Sequence, residues 1–180
     1  MLSPADLIRQ HVRSVPDFPK PGILFRDITS VWKHPQAFEA CTQAFVERYK
    51  HDNIDLVVGI ESRGFVVGSA FASRLGLGFV PVRKRGKLPA DVHSHEYDLE
   101  YGSDCVEIHR DAIAPGQTVL VMDDLLATGG TFLASLALLK KMGVKVAGCA
   151  VVIDLPDLGG SRKIREIGVD VFSILDFPGH

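Results

Sequence analysis

The chain has 180 residues, a formal net charge of −2, and 46% hydrophobic against 23% charged residues. This is the balance of one globular domain with room for a substantial core. The charge gives no global drive toward nucleic acid, no apolar run is long enough to span a bilayer, and the N-terminus has neither the basic region nor the apolar core of a signal peptide.

Cys41, Cys105 and Cys149 are odd in number and widely spaced, which fits reduced thiols in a cytosol rather than a disulfide framework. Ser3-Pro4-Ala5-Asp6 reads as a helix start, with Ser as N-cap and Pro in the first turn, and the helix is expected to run to about Val12. Pro16, Pro19 and Pro21 force an extended segment ending at Gly22. The apolar run Ile23 to Thr29 then reads as a strand or an ordered loop, suited to cover a pocket rather than join the main sheet. Phe38, Cys41, Thr42, Phe45, Val46 and Tyr49 mark one face of a helix over Pro35 to Lys50.

Asp55 to Ile60 follows as a buried strand, with Glu61-Ser62-Arg63-Gly64 at its carboxyl end. A helix from about Phe65 to Leu75, closed by Gly76, leads to a strand over Gly78 to Arg83. Alternating strands and helices predict right-handed crossovers and a parallel sheet. The dense basic cluster Arg83-Lys84-Arg85-Gly86-Lys87 stands at the carboxyl end of that last strand. Such runs are usually solvated, but this position suits a bound polyanion. As a nucleic-acid footprint, four charges in an otherwise acidic chain are too few. Leu88 to Tyr101 is polar and weakly periodic, and with Cys105 to His109 as a return strand it reads as a β-hairpin. His93 and His95 read as exposed residues of it.

Val119-Leu120-Val121-Met122 reads as a strand buried on both faces. Asp123 and Asp124 stand where it ends, followed by Leu125-Leu126-Ala127-Thr128-Gly129-Gly130-Thr131 and a helical run up to Gly143. Ligands of open α/β sheets bind at this end of the strands, and a helix N-terminus there offers free N–H groups to an anion. Thr128 and Thr131 add hydroxyls, and Gly129 and Gly130 let a phosphate approach the backbone. The carboxylates suit sugar hydroxyls instead. Phosphate on one side and diol on the other make a ribose 5-phosphate cradle. A strand over Lys145 to Leu155, a short helix over Ser161 to Ile167 and a last strand over Val169 to Leu175 complete an α/β fold.

The acidic pair with its TGGT turn resembles the 5-phosphoribosyl diphosphate (PRPP) signature of the type I phosphoribosyltransferases. Phe25-Arg26-Asp27, Glu61-Ser62-Arg63-Gly64-Phe65, Arg83 to Pro89 and Leu99-Glu100-Tyr101-Gly102 make the resemblance specific to the adenine branch, over essentially the whole length. It implies one domain over 1–180: a mostly parallel five-stranded sheet with helices on both faces, an N-terminal base-recognition hood over about 1–34, and a flexible lid hairpin over about 84–109.

The implied reaction joins adenine and PRPP to give AMP and diphosphate, with Mg²⁺ held mainly by PRPP and water and no direct protein ligand. Asp123, Asp124 and Ala127 to Thr131 would hold ribose and 5-phosphate. Ser62, Arg63, Arg83 and Lys87 would meet the diphosphate, with Arg63 also catalytic, and Glu100 would handle the purine proton. Tyr97 and Tyr101 would help seal the site. Leu24, Phe25, Arg26 and Leu125 would contact adenine. The resemblance further implies a non-proline cis peptide at Glu61–Ser62, a cytoplasmic homodimer, and neither nucleic acid nor membrane as partner. A phosphoribosyltransferase for another base and a PRPP-binding regulator of the same fold stay open as alternatives. Glu100 and Lys87 are present and no helix-turn-helix extension precedes the domain, which weighs against the regulator.

Overall fold

Successive residues of the strand Thr118–Leu126 go to opposite faces: Val119 and Val121 to one core, Leu120 and Met122 to the other. Such two-sided burial requires helices on both faces. The computed structural model describes residues 3–98 and 102–179. Its helices are α1 (Pro4–His11), α2 (Thr29–Lys33), α3 (Pro35–Tyr49), α4 (Gly64–Leu75), α5 (Gly130–Lys141) and α6 (Gly160–Glu166). Its strands are β1 (Arg13–Pro16), β2 (Leu24–Asp27), β3 (Leu56–Ile60), β4 (Gly78–Lys84), β5 (Val92–Asp98), β6 (Ser103–His109), β7 (Thr118–Leu126), β8 (Lys145–Asp154) and β9 (Val171–Asp176).

The main sheet has seven strands in the order β5-β6-β4-β3-β7-β8-β9. The expected five parallel strands run from β4 to β9. The hairpin is continuous with them rather than separate, because β6 pairs antiparallel with the end of β4 at Arg83↔Glu107 and Lys84↔Val106. Helices α1 to α4 cover one face through Ile8, Val31, Phe45 and Phe71. Helices α5 and α6 cover the other through Phe132, Leu136 and Ile164. Cys41, Cys105 and Cys149 are free and buried, and burial pushes the Cys41 thiol up to about 12, so they serve as packing residues.

The hood forms a separate ribbon in which β1 and β2 pair antiparallel, from Arg13↔Asp27 to Pro16↔Leu24. The proline-rich lead-in is thus partly a strand, followed by a turn with a cis Phe18–Pro19 peptide. Helix α2 was not expected. It starts because the Asp27 carboxylate accepts from the Thr29 N–H at 2.9 Å and the Thr29 hydroxyl at 2.7 Å, a local cap for the first turn. The last strand begins at Val171 instead of Val169, since Gly168 and Val169 donate back to Arg165 and Ile164 and belong to the end of α6.

Candidate active site

Two pockets meet at the carboxyl end of β7. The first, of about 170 Å³, is lined by Asp123 and the run from Leu125 to Phe132. Gly129, with φ +82°, turns the chain into α5, so the amides of the turn and first helical residues surround this pocket. The loop is pinned from below. Gly160 donates its N–H to the Ala127 carbonyl at 3.1 Å. A Cβ at Gly160 would lie 2.3 Å from that oxygen and 2.8 Å from the Gly129 nitrogen. Only a bare Cα fits there.

The second pocket, of about 280 Å³, is lined by Glu61, Ser62, Arg63, Asp123 and Asp124. The Glu61–Ser62 peptide is cis, as the resemblance implied. Gly64 lets α4 begin against β7, where a Cβ would lie 2.7 Å from the Met122 carbonyl. This close approach brings Arg63 Nε to 2.7 Å from Asp124 Oδ2. The contact is an ion pair whose N–H direction misses hydrogen-bond geometry, so the buried Oδ2 has a charge partner but no donor. Asp123 Oδ1 accepts the Asp124 N–H at 2.8 Å. Burial raises the Asp123 carboxyl well above its ordinary range, and the Asp124 charge beside it adds to this. Burial also raises Asp124, against the pull of Arg63.

Arg83 and Lys87 converge with this pocket, but on a partner that was not expected. Glu61 accepts from Lys87 Nζ at 2.7 Å, from the Lys84 N–H at 2.9 Å and from two Arg83 nitrogens at 3.3 Å. Burial raises the Glu61 carboxyl, yet these donors together outweigh it and hold the group at about 2. The sequence sets an acid at the head of this turn and a basic cluster after β4, and it is the pairing of β3 with β4 that brings them together.

The predicted base-recognition residues line the edge of the same site. Phe25 is half-buried, with Phe18 edge-on at 5.1 Å and the Arg63 guanidinium 5.5 Å from its ring centre. Arg63 therefore bridges the acidic pair and the hood. Leu24 is half-buried beside Phe25, and Leu125 is half-buried in the wall of the first pocket. Arg26 donates to Ser14 Oγ at 2.6 Å. Its guanidinium stacks on Phe177 at 4.5 Å, and Arg9 lies 4.6 Å from the same ring. Phe177 and Gly160 are site supports that motif reading missed.

On the hairpin, the Tyr97 hydroxyl reaches Thr131 Oγ1 at 3.0 Å. Glu100 and Tyr101 lie outside the described residues, so their expected roles have no geometry here. Among the described residues no three His, Cys, Asp or Glu side chains converge as a metal cage, and no helix is long and apolar enough to cross a membrane. His93 is exposed, whereas His95 is half-buried and within 3.1 Å of Lys141 Nζ.

The family model for the phosphoribosyl transferase domain matches residues 27–178. An adenine phosphoribosyltransferase of Methylobacillus flagellatus is 56% identical over 170 residues, covering 94% of this chain and 97% of its own length. The crystal structure of the enzyme of that name from Thermoanaerobacter pseudethanolicus matches with a TM-score of 0.92 and 45% identity, over 96% of this chain and 99% of the other. The Giardia lamblia APRTase complexed with 9-deazaadenine matches with a TM-score of 0.91 and 38% identity, over 98% and 99% of the two chains. On these matches the chain belongs to the adenine phosphoribosyltransferases, within the phosphoribosyl transferase domain family.

Proposed function

We propose that this chain transfers the 5-phosphoribosyl group of PRPP to N9 of adenine, releasing diphosphate and forming AMP in purine salvage. The observation that carries the residue assignments is Asp124 Oδ2, a buried carboxylate oxygen with a cation beside it and no hydrogen donor. A ribose hydroxyl supplies the missing hydrogen, and such a buried acceptor is costly without one. Asp123 offers its carboxylate to the same sugar, while the backbone and hydroxyls from Ala127 to Thr131 take the 5-phosphate.

In the step itself, the C1′–O bond to diphosphate breaks and the N9–C1′ bond forms, through an oxocarbenium-like transition state. The leaving diphosphate carries away the electron pair. Arg63 acts beside it, with Ser62 in the turn and Arg83 and Lys87 behind Glu61, placing cations where negative charge develops. The planar forks of Arg suit phosphate oxygens. Mg²⁺ would be held mainly by PRPP and water, since the ion keeps most of its sphere as water and substrate oxygen. When bound, it neutralises diphosphate charge. Phe25, Leu24 and Leu125 hold the purine ring, and main-chain groups near Arg26 read its 6-amino edge. Glu100 takes the proton that adenine loses on the N7 side, its carboxyl desolvated as the lid closes. Tyr97 and Tyr101 help keep water from hydrolysing PRPP.

This reading also makes the protein a cytoplasmic homodimer, with the basic strand near the partner's site, a point for sedimentation analysis. The primary test is AMP formation from adenine, PRPP and Mg²⁺, with hypoxanthine and guanine alongside and Glu100→Ala as control. Adenine-selective turnover that collapses in the variant is the expected result. Turnover that survives removes Glu100 from the chemistry. Tight PRPP binding without turnover on any base replaces the enzyme with a regulator.

A further inference from the structure

Tyr97 is not one of the groups assigned to the substrate's phosphate, yet its hydroxyl is the hub of a four-residue cluster that ends on the phosphate loop. Lys84 Nζ donates to Tyr97 Oη at 2.6 Å and pairs with Asp104. Tyr97 Oη lies 3.1 Å from Asp104 Oδ2 and 3.0 Å from Thr131 Oγ1. The Tyr97 ring also lies against the start of α5, where a Cβ on Gly130 would be 3.6 Å from it. Strand β5 of the hairpin, with Tyr97 near its end, is thereby tied to the loop between β7 and α5.

The hydrogens in this cluster can be counted. Lysine only donates, a carboxylate only accepts, and each hydroxyl has one hydrogen to give. If Tyr97 donates to Asp104, the Tyr97–Thr131 contact is made by the Thr131 hydrogen, and Thr131 has nothing left for an anion. If Tyr97 donates to Thr131, the Thr131 hydrogen is free to point into the pocket. Asp104 stays satisfied in that arrangement, because Lys84 pairs with it and the Cys105 N–H donates to its Oδ1 at 2.8 Å. In the structure as it stands Tyr97 donates to Asp104, and Asp104 lies below its ordinary carboxyl range with the Lys84 hydrogen bond the main cause. An anion in the loop selects the second arrangement.

We propose that Tyr97 is a positioning residue for the 5-phosphate: it donates to Thr131 Oγ1, turns the Thr131 hydroxyl onto the phosphate, and so couples occupancy of the loop to the hairpin. This rests on the reading of Ala127 to Thr131 as the phosphate loop. The contact that completes the phosphate site also fixes the end of β5 against the start of α5.

The test compares AMP with adenosine, which differ only in the 5-phosphate, by calorimetric titration into the full chain and into Tyr97→Phe. The Phe variant keeps the ring against Gly130 and removes only the hydroxyl. Wild-type protein is expected to prefer AMP strongly. Tyr97→Phe is expected to lose about fivefold to tenfold in AMP affinity, the order of one hydrogen bond, with adenosine affinity unchanged. Equal losses for both ligands make Tyr97 a plain support of the fold and overturn the proposal, as does full retention of the AMP preference. Thr131→Val gives a second reading that does not depend on the Tyr97 variant folding: it must erase the same part of the preference, and in that background Tyr97→Phe must cost nothing more. Additive losses overturn the coupling. If wild-type protein binds adenosine as well as AMP, the phosphate-loop reading itself falls, an outcome distinct from the others.

Discussion

The loop from Ala127 to Thr131 is held by the core of the molecule, whereas the segment from Leu24 to Arg26 is held at its surface. The loop hangs between β7 and α5, with Gly160 beneath it at a spacing that admits no side chain. The hood is a two-stranded ribbon of half-buried residues, fixed by a turn of hydrogen bonds around Asp27 and by two guanidiniums on Phe177. On the proposed function, the difference follows from what each segment would recognise. A phosphate is met by backbone amides whose positions the fold sets, so rigidity there costs nothing in adaptability. A flat purine is met by an aromatic face and an edge of main chain, which a short ribbon can supply. Arg63 links the hood to the acidic pair that precedes the loop, with its Nε on Asp124 and its guanidinium over Phe25.

Breaking the bridge between the two ends gives the largest expected effect. Arg63→Ala leaves the buried Asp124 without its cation and removes charge stabilisation from the leaving group. Turnover should fall by about 10²- to 10³-fold. Because burial raises both strand-end acids, the folded state binds protons more tightly than the unfolded chain there. Stability from these groups is present at low pH and declines as pH rises through their raised values. Arg63→Ala should steepen that decline, measurable as the unfolding midpoint in urea against pH. A decline no steeper than in the wild type would mean that Arg63 does not set the Asp124 charge.

Gly160→Val attacks the core-held end alone. The two tightest contacts of the added Cβ are backbone atoms of the loop, with Leu126 Cδ1 next at 3.0 Å, so the loop must shift. A loss of about 1–3 kcal/mol in stability should accompany a rise in the KM for PRPP with the KM for adenine little changed. Phe177→Ala is the counterpart for the surface-held end. Removing the ring under Arg26 should raise the KM for adenine by about threefold, the scale of one exposed cation–π contact, and leave PRPP unaffected. If both variants raise both constants equally, the two ends are not separable and the comparison fails.

Glu61→Gln is read on the acid limb rather than in turnover and sharpens a different boundary. Its carboxyl sits at about 2 in the folded chain against 4.5 for an ordinary Glu. A lowered acid contributes stability that is present above its unfolded value and is lost as pH falls toward the folded one. The variant should therefore lose less stability than wild type between pH 4.5 and about 2. An unchanged acid limb in thermal melts would remove Glu61 as the anchor of Arg83 and Lys87.

The legible parts of this molecule are those written in consecutive residues. Val119 to Thr131 announces a buried strand, an acid pair, a turn and a helix in one run, and α3 and α4 carry their caps and periodicity with them. The expected strand count held for the parallel core because each strand is an uninterrupted apolar run. What was not legible depends on strands brought side by side. Glu61 meets Arg83 and Lys87 only because β3 pairs with β4, and Phe177 meets Arg26 only across the whole chain. The clash that makes Gly160 obligatory arises from its distance to Ala127, a residue far off in sequence. Helix α2 was missed for a local reason: its cap is an Asp hidden at the end of a strand-like run.

The stack of Arg9 and Arg26 on Phe177, with Arg9 also donating to the Asp176 carbonyl at 3.4 Å, has a consequence for biosynthesis. Chains emerge from the ribosome N-terminus first and begin to fold as they do. Residues 9 and 26 emerge early, but the ring that holds them follows the last strand of the sheet. The contact of Arg9 and Arg26 with Phe177 therefore forms only after all the strands from β3 to β9 have been made. A polypeptide stalled or truncated just short of Phe177 would keep every strand of the sheet and lack the ring on which Arg9 and Arg26 stack.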